Sequence, residues 1–187
     1  VVWRFGLPAL GGAFLGAQAL VHLADLPPLA TYTLFGAPHT VMPVKSVVAW
    51  LMIGFALLEL PRFQHRAIDQ RYLPLGGILS GFFGGLSGHQ GALRSAFLLK
   101  SGLSKEQFIG TGVVIACAVD VTRLLVYWRQ LAAGMEQRGL LIAATLSAFL
   151  GAWVGARLME KTTARSVQML VTFLLLLIAL GLGSGLL

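Results

Sequence analysis

Long apolar runs separated by short polar gaps fill almost the whole chain. Apolar runs of roughly 17 to 25 residues are long enough to cross the hydrocarbon core of a bilayer as helices, and the sequence contains six such regions. They cover residues 5–24, 41–60, 73–103, 108–128, 140–159 and 167–187. The pattern predicts an all-α fold, a polytopic helical membrane protein with about six transmembrane helices.

A different kind of segment lies between the first two runs. Asp25-Leu26-Pro27-Pro28 ends the first run, because proline does not continue a helix. An apolar segment then continues to Pro38. We expect it to form a short interfacial or re-entrant piece.

The third run, residues 73–103, cannot form one plain helix. Within it, residues 84–97 carry four glycines together with His89 and Arg94. Glycine costs a helix about 1 kcal/mol relative to alanine, and an arginine near the bilayer centre costs roughly 2.5 to 3.5 kcal/mol on insertion scales. We therefore predict two half-helices that are broken near Gly88, and a function for the groups at the break.

The break offers hydrogen-bond donors to an anion. A broken membrane helix has free backbone N–H groups, which are tolerated only where protein or a water-filled cavity supplies partners. The second half-helix begins near Gly91 with about half a positive charge, and Arg94 adds a fork of donors suited to an oxyanion. The sequence thus predicts a site for a small oxyanion near mid-membrane. The other candidate ligands are Ser87, Gly88, His89, Gln90 and Ser95.

Other roles are open for the same charged groups. Arg94 could instead pair structurally with Asp120, the only acid deep in the fourth run. Asp120 and Arg123 are three residues apart on one helix face, so they could neutralise each other or take part in ion coupling. His89 is either a hydrogen-bonded interior histidine or a proton carrier, since imidazole titrates close to neutral pH.

The amino-acid composition also indicates a membrane protein. Hydrophobic residues make up 57% of the chain and charged residues 11%, with a mean hydropathy of +0.81, which a soluble domain of this size would have trouble hiding in one core. The net charge of +7 comes mostly from residues in the polar gaps, which indicates anchoring at lipid headgroups and not nucleic-acid binding. Cys117 is the only cysteine, so neither an intrachain disulfide nor a cysteine-cluster metal site is expected.

A short internal repeat indicates two related halves. The pentapeptide at residues 13–17 recurs letter for letter at residues 148–152, each time followed by one more apolar run. The chain then divides into the end of a first half (1–60, two helices), a polar connecting loop (61–72) and a second half (73–187, four helices). In such an architecture of about eight helices, a first glycine-rich stretch would lie before residue 1. Small residues four apart indicate close helix packing in both copies; they are Gly12, Gly16, Gly151 and Gly155.

Four short motifs that contain glycine lie at residues 85–92, 102–106, 110–112 and 151–158. Together they resemble the second-half signature of the TauE/SafE family of membrane transporters, which includes sulfite exporters. The resemblance covers most of residues 73–187 and, more faintly, residues 5–60. The family pattern includes a threonine-containing helix, so the resemblance adds Thr111 to the candidate ligands.

The chain departs from the family pattern at the expected site. Gln90 and Ala92 replace two of three consecutive glycines. Phe97 stands about where a proline is expected, and Arg94 occupies a position that is usually apolar. The resemblance implies a secondary transporter, for export or uptake, of a small anion such as sulfite, a sulfonate or another organic anion, without singling out sulfite. It also implies a multi-pass protein of the bacterial cell membrane that needs no cofactor, and it leaves a homo-oligomer open.

Two other functions fit parts of the sequence. A channel-like protein or a non-transporting membrane scaffold would use the glycines for packing alone. An intramembrane serine protease would use Ser87, because residues 85–88 fit the Gly-x-Ser-Gly pattern of rhomboid proteases. That chemistry needs a histidine base from a later span, and none of the four histidines follows residue 89. We therefore expect neither an enzyme nor a metal site.

Overall fold

Helices dominate the computed structural model, which describes residues 2–34, 37–58, 69–99, 101–134, 138–159 and 163–186. The elements are α1 (Val2–Ala24), β1 (Ala30–Leu34), β2 (Ala37–Val41), α2 (Pro43–Leu58), a 3₁₀ turn (Gln70–Tyr72), α3 (Leu73–Ser87), α4 (Gly91–Leu98), α5 (Lys105–Gly134), α6 (Arg138–Met159) and α7 (Ala164–Ser184). Their order follows the apolar runs of the sequence.

Among the residues that the structure describes, three helices are long and apolar enough to cross a membrane. They are α1, the Lys105–Trp128 part of α5 and the Arg138–Leu158 part of α6. Shorter apolar helices are formed by α2 and by Met169–Ser184 of α7. The helical architecture is therefore confirmed, whereas the count of about six spans and the repeat of about eight helices stay predictions.

A β-hairpin forms where the sequence predicts a short interfacial or re-entrant piece after Pro28, and its place relative to the membrane stays a prediction. β1 and β2 pair antiparallel, from Ala30 opposite Val41 to Leu34 opposite Ala37. Tyr32 and His39 face each other across the hairpin with ring centroids 5.5 Å apart. The Tyr32 hydroxyl donates to the carbonyl oxygen of Ser184, so the hairpin lies over the C-terminal end of α7.

Glycines bring α1 and α3 into direct backbone contact. A Cβ added at Gly81 would lie 2.0 Å from the carbonyl oxygen of Ala9, and one added at Gly16 would lie 2.0 Å from that of Phe82. Neither position can hold a larger residue without separating the two helices. Spacing of small residues by four is a recurrent way to bring membrane helices this close. The predicted packing role of Gly16 in α1 is confirmed, whereas a Cβ at Gly151 in α6 would meet no atom within 4 Å.

The buried core contains residues from both predicted halves of the chain, 1–60 and 73–187. Phe5 and Ala9 of α1 pack with residues of α3, α4 and α5, among them Phe97 and Val119. A second cluster joins α2 to α7 through Ala49, Met52 and Ala179. Helix α6 carries no buried residue over the Arg138–Leu158 part that the structure describes in full. The division at loop 61–72 stays a prediction, since most of that loop lies outside the described residues.

Candidate functional site

The third apolar run is interrupted where its glycines cluster. Helix α3 ends at Ser87, and Gly88 takes a left-handed conformation with φ +78° and ψ −6°. Such a backbone suits glycine, which has no Cβ to clash. The Gly88 N–H closes the last turn by donating to the carbonyl oxygen of Gly84 at 2.9 Å. Helix α4 begins three residues later, at Gly91.

Asp120 pairs with Arg123 and not with Arg94. The Oδ1 atom of Asp120 lies 3.6 Å from Nε of Arg123, one helical turn further along α5. The Arg123 Nη1 group also donates to the carbonyl oxygen of Gly84 at 3.3 Å. The structure thus has the i,i+3 ion pair that was one alternative from the sequence, and Arg123 has two partners within the protein.

Arg94 extends from α4 to the surface of α5. Its Nε atom lies 3.5 Å from the position that a Cβ on Gly112 would take. Its Nη1 atom is buried and has no hydrogen-bond partner. The side chain borders a cavity of about 190 Å³ between the two helices. The lining residues are Arg94, Ser95, Leu98, Phe108, Ile109, Gly112 and Val113.

Gln90 is the other polar residue of this region that is buried without a full set of partners. Its side chain is 5% exposed and its Oε1 atom has no hydrogen-bond partner. It packs against α3, where a Cβ added at Gly84 would lie 3.1 Å from the Gln90 Cβ and 3.1 Å from Val119. Its carbonyl oxygen accepts a hydrogen bond from Ser80 at 3.3 Å. These contacts fix where α4 starts relative to α3.

His89 and Gly91 stand on opposite sides of Gln90 and differ in their surroundings. The His89 ring stacks on Phe55 of α2, with centroids 6.2 Å apart and planes 8° apart. Its Nδ1 atom lies 3.0 Å from the carbonyl oxygen of Ser87. Gly91 is exposed, and a Cβ added there would meet no atom within 4 Å.

The structure divides the predicted cluster of ligands between two places. Arg94 and Ser95 share the cavity between α4 and α5. The remaining candidates are not among the lining residues. Those at or next to the break are Ser87, Gly88, His89, Gln90 and Gly91, and Thr111 lies in α5, one residue before Gly112. The roles assigned to all of these residues stay predictions.

Two residues of the region were missed by the sequence analysis. Gly112 forms part of the cavity wall beside Arg94, and the Tyr127 hydroxyl donates to the carbonyl oxygen of Gly85 at 2.6 Å. Gly112 could have been recognised as a candidate from the sequence, since it belongs to the Gly110-Thr111-Gly112 motif. No feature of the sequence marks Tyr127, because its hydrogen-bond partner depends on how α5 packs on α3.

Comparison with known proteins identifies the family. The family model described as sulfite exporter TauE/SafE matches residues 1–182. The chain belongs to the TauE/SafE family. This match confirms the resemblance found in the sequence and places the chain among membrane proteins. Members of the family are membrane transporters of sulfite or related anions and not enzymes. No curated protein matches the chain, and no solved structure does.

The cavity between α4 and α5 is lined by groups that can donate hydrogen bonds to an oxyanion. A guanidinium with a buried, unpartnered N–H attracts an oxyanion, which can accept two parallel hydrogen bonds from it. The neighbouring Ser95 hydroxyl can donate a third. Within the described parts of the chain, no group of three or more His, Cys, Asp or Glu side chains could hold a metal ion.

Proposed function

We propose that this TauE/SafE protein is a secondary transporter that binds a small anion at Arg94 and carries it across the cell membrane. The cargo class is a sulfite-like oxyanion, a sulfonate or another small organic anion. One observation carries the proposal: the Arg94 Nη1 group is buried beside a cavity and has no hydrogen-bond partner.

The energetics favour a ligand at this position. A buried donor without a partner costs about 1–3 kcal/mol, and more when the group is charged. Among the described residues, no carboxylate forms an ion pair with the Arg94 guanidinium: Asp120 pairs with Arg123, and its charge acts on Arg94 only from a distance beyond 4.0 Å. An anion in the cavity would supply the missing acceptor and a negative charge in direct contact with the guanidinium. Binding an anion thus offsets a cost that the empty site carries.

The surroundings of Arg94 set the size and sign of the ligand. The cavity of about 190 Å³ is smaller than the roughly 300–1,000 Å³ of sites for drug-sized ligands, which favours a small solute. Arg94 lies in the first turn of α4, whose N-cap residue Gln90 makes no capping hydrogen bond with its side chain. The positive end of the α4 dipole therefore adds to the charge of Arg94.

Flux measurements on Arg94 variants test this proposal. Purified protein in proteoliposomes is assayed with sulfite, sulfonates and carboxylates, with and without a proton gradient. We expect Arg94→Ala to lose at least about tenfold in transport at low anion concentration, because a charge-assisted bidentate interaction disappears. Arg94→Lys should recover only part, since lysine keeps the charge but loses the planar fork. Arg71→Ala is the matched control, because Arg71 is exposed and lies 3.8 Å from Asp69 outside the cavity.

The same assay separates transport from the alternatives. Saturable flux that depends on a gradient supports a carrier, whereas flux that rises linearly with concentration indicates a channel-like protein. Normal, saturable transport by a folded Arg94→Ala protein would show that Arg94 does not contact the anion.

A further inference from the structure

The C-terminal end of α3 is stabilised by side chains in an unusual way. The last carbonyl groups of a helix have no partner within the helix, and such groups are costly in a membrane. Here the Gly84 carbonyl accepts from the Gly88 N–H at 2.9 Å and, in addition, from Arg123 of α5. The Gly85 carbonyl accepts from the Tyr127 hydroxyl of α5, and the Phe83 carbonyl, further into the helix, also accepts from the Ser87 hydroxyl at 3.0 Å.

The two donors from α5 are Arg123 and Tyr127, which lie one helical turn apart on the same face. Arg123 Nη1 donates to the carbonyl oxygen of Gly84 at 3.3 Å. The Tyr127 hydroxyl donates to that of Gly85 at 2.6 Å. A positive charge at a helix C-terminus also opposes the negative end of the helix dipole, so Arg123 stabilises the break electrostatically as well.

Gly88 has a second role beside its left-handed backbone. A Cβ added at Gly88 would lie 2.7 Å from Arg123 Nη1. The guanidinium therefore lies in the space that a side chain would fill. The break and the α5 donors fit each other at this residue, and Arg123 is held on its other side by Asp120 at 3.6 Å.

We infer that Arg123 and Tyr127 form a cap on α3 that fixes the geometry of the break, which makes Arg123 a positioning residue and not a ligand of the anion. The separation along α5 agrees with this division of roles. Arg123 lies eleven residues after Gly112, which is about 16 Å along a helix, whereas Arg94 touches Gly112. The inference uses the proposed function only in taking the break as part of the transport path.

Hydrogen–deuterium exchange of the native protein in lipid nanodiscs tests the cap directly. The readout is the exchange rate of peptides covering residues 83–88. We expect about fivefold faster exchange in Tyr127→Phe, which loses one hydrogen bond between neutral groups. In Arg123→Gln we expect tenfold or more, since a charged donor is lost. Tyr32→Phe is the matched control, because it removes a hydroxyl that donates to a carbonyl at the end of α7, and it should leave these peptides unchanged.

Transport kinetics then separate positioning from ligand binding. Arg123→Gln should lower the maximal rate several-fold and keep the KM for the anion within about twofold of the unmodified protein. Arg123→Lys should restore most of the rate, because a lysine ammonium can still donate to the Gly84 carbonyl.

Two results would overturn the inference. One is unchanged exchange at residues 83–88 in Tyr127→Phe, a variant mild enough to decide the matter even where Arg123→Gln fails to fold. The other is a KM in Arg123→Lys that rises as much as in Arg94→Ala. Failure of the proposed function looks different, since Arg94→Ala would then transport normally while exchange in Tyr127→Phe still rises.

Discussion

Helices α3 and α4 follow each other along the third apolar run, and their polar groups are satisfied to different degrees. At the end of α3, the Gly84 and Gly85 carbonyls accept hydrogen bonds from side chains of α5. In α4 and at its N-cap, Arg94 Nη1 and Gln90 Oε1 are buried without a partner. These two carbonyls on the α3 side thus have partners within the protein, whereas the two buried side-chain atoms on the α4 side do not.

This difference shows where a ligand is needed. Buried polar groups in native proteins nearly always have hydrogen-bond partners, so each buried group without one needs a physical explanation. Among the described residues three side chains are exceptions, and the third, Thr172, lies in α7. Only Arg94 combines an unpartnered donor with a full charge and a cavity. The α3 side therefore serves as scaffold, and the α4 side carries the proposed anion site.

The largest effect should come from enlarging a glycine on the scaffold side. In Gly81→Val, the new Cβ would lie 2.0 Å from the Ala9 carbonyl oxygen, so α1 and α3 would have to separate. We expect destabilisation at or above the upper end of the roughly 1–3 kcal/mol found for overpacked cores. The measurements are thermal unfolding in detergent and the yield of monodisperse protein.

The same substitution at a glycine with open surroundings is the control. A Cβ at Gly110 of α5 would meet no atom within 4 Å, and valine has a better helix propensity than glycine. Gly110→Val should therefore unfold at the same temperature as the unmodified protein or slightly higher. If Gly81→Val and Gly110→Val unfold alike, the α1–α3 contact does not support the scaffold side.

A smaller effect, confined to transport, should follow from filling the cavity on the α4 side. Gly112→Leu would occupy space next to the Arg94 guanidinium, and we expect at least about a tenfold loss of flux at low anion concentration, or roughly 1.4 kcal/mol. Gly112→Ala serves as the size control, because its Cβ would make only an ordinary contact with Arg94 Nε at 3.5 Å. Initial uptake rates over a range of concentrations measure both. Equal KM values for a folded Leu variant and the unmodified protein would argue against this cavity as the anion site.

The sequence predicted the interruption because its cause is local. Four glycines and an arginine in an apolar run disfavour a continuous helix wherever the run is placed. The direction of the Arg94 side chain, in contrast, could not be predicted from the sequence, because a position on a helix does not determine where the end of a long side chain lies. The sequence places Arg94 close to Gly88 and Gly91, but in the structure its guanidinium lies beside Gly112 on a neighbouring helix. That contact depends on how α4 packs on α5.

Identical letters can also have different surroundings. The pentapeptide of residues 13–17 has Ala13, Gly16 and Ala17 buried in α1, whereas residues 148–152 are exposed throughout in α6. Packing against α3 makes the difference, and no pentapeptide encodes that. The hairpin, in contrast, had a readable signal. The Thr31-Tyr32-Thr33 segment of β1 is rich in the residue types that favour strands. The long apolar runs on either side, however, favour helices and gave no indication of a strand.

The smallest effect should come from Ser95, the polar neighbour of Arg94 in the cavity. If its hydroxyl donates to the anion, Ser95→Ala removes one hydrogen bond worth about 1 kcal/mol, and the KM should rise about fivefold with little change in stability. Ser101→Ala is the matched control, because the Ser101 hydroxyl donates to the Phe97 carbonyl at 3.4 Å and lies outside the cavity lining. A KM that rises only in Ser95→Ala would show that the anion contacts this hydroxyl as well as the guanidinium. Equal KM values in the two serine variants would limit the site to Arg94 and the backbone of α4.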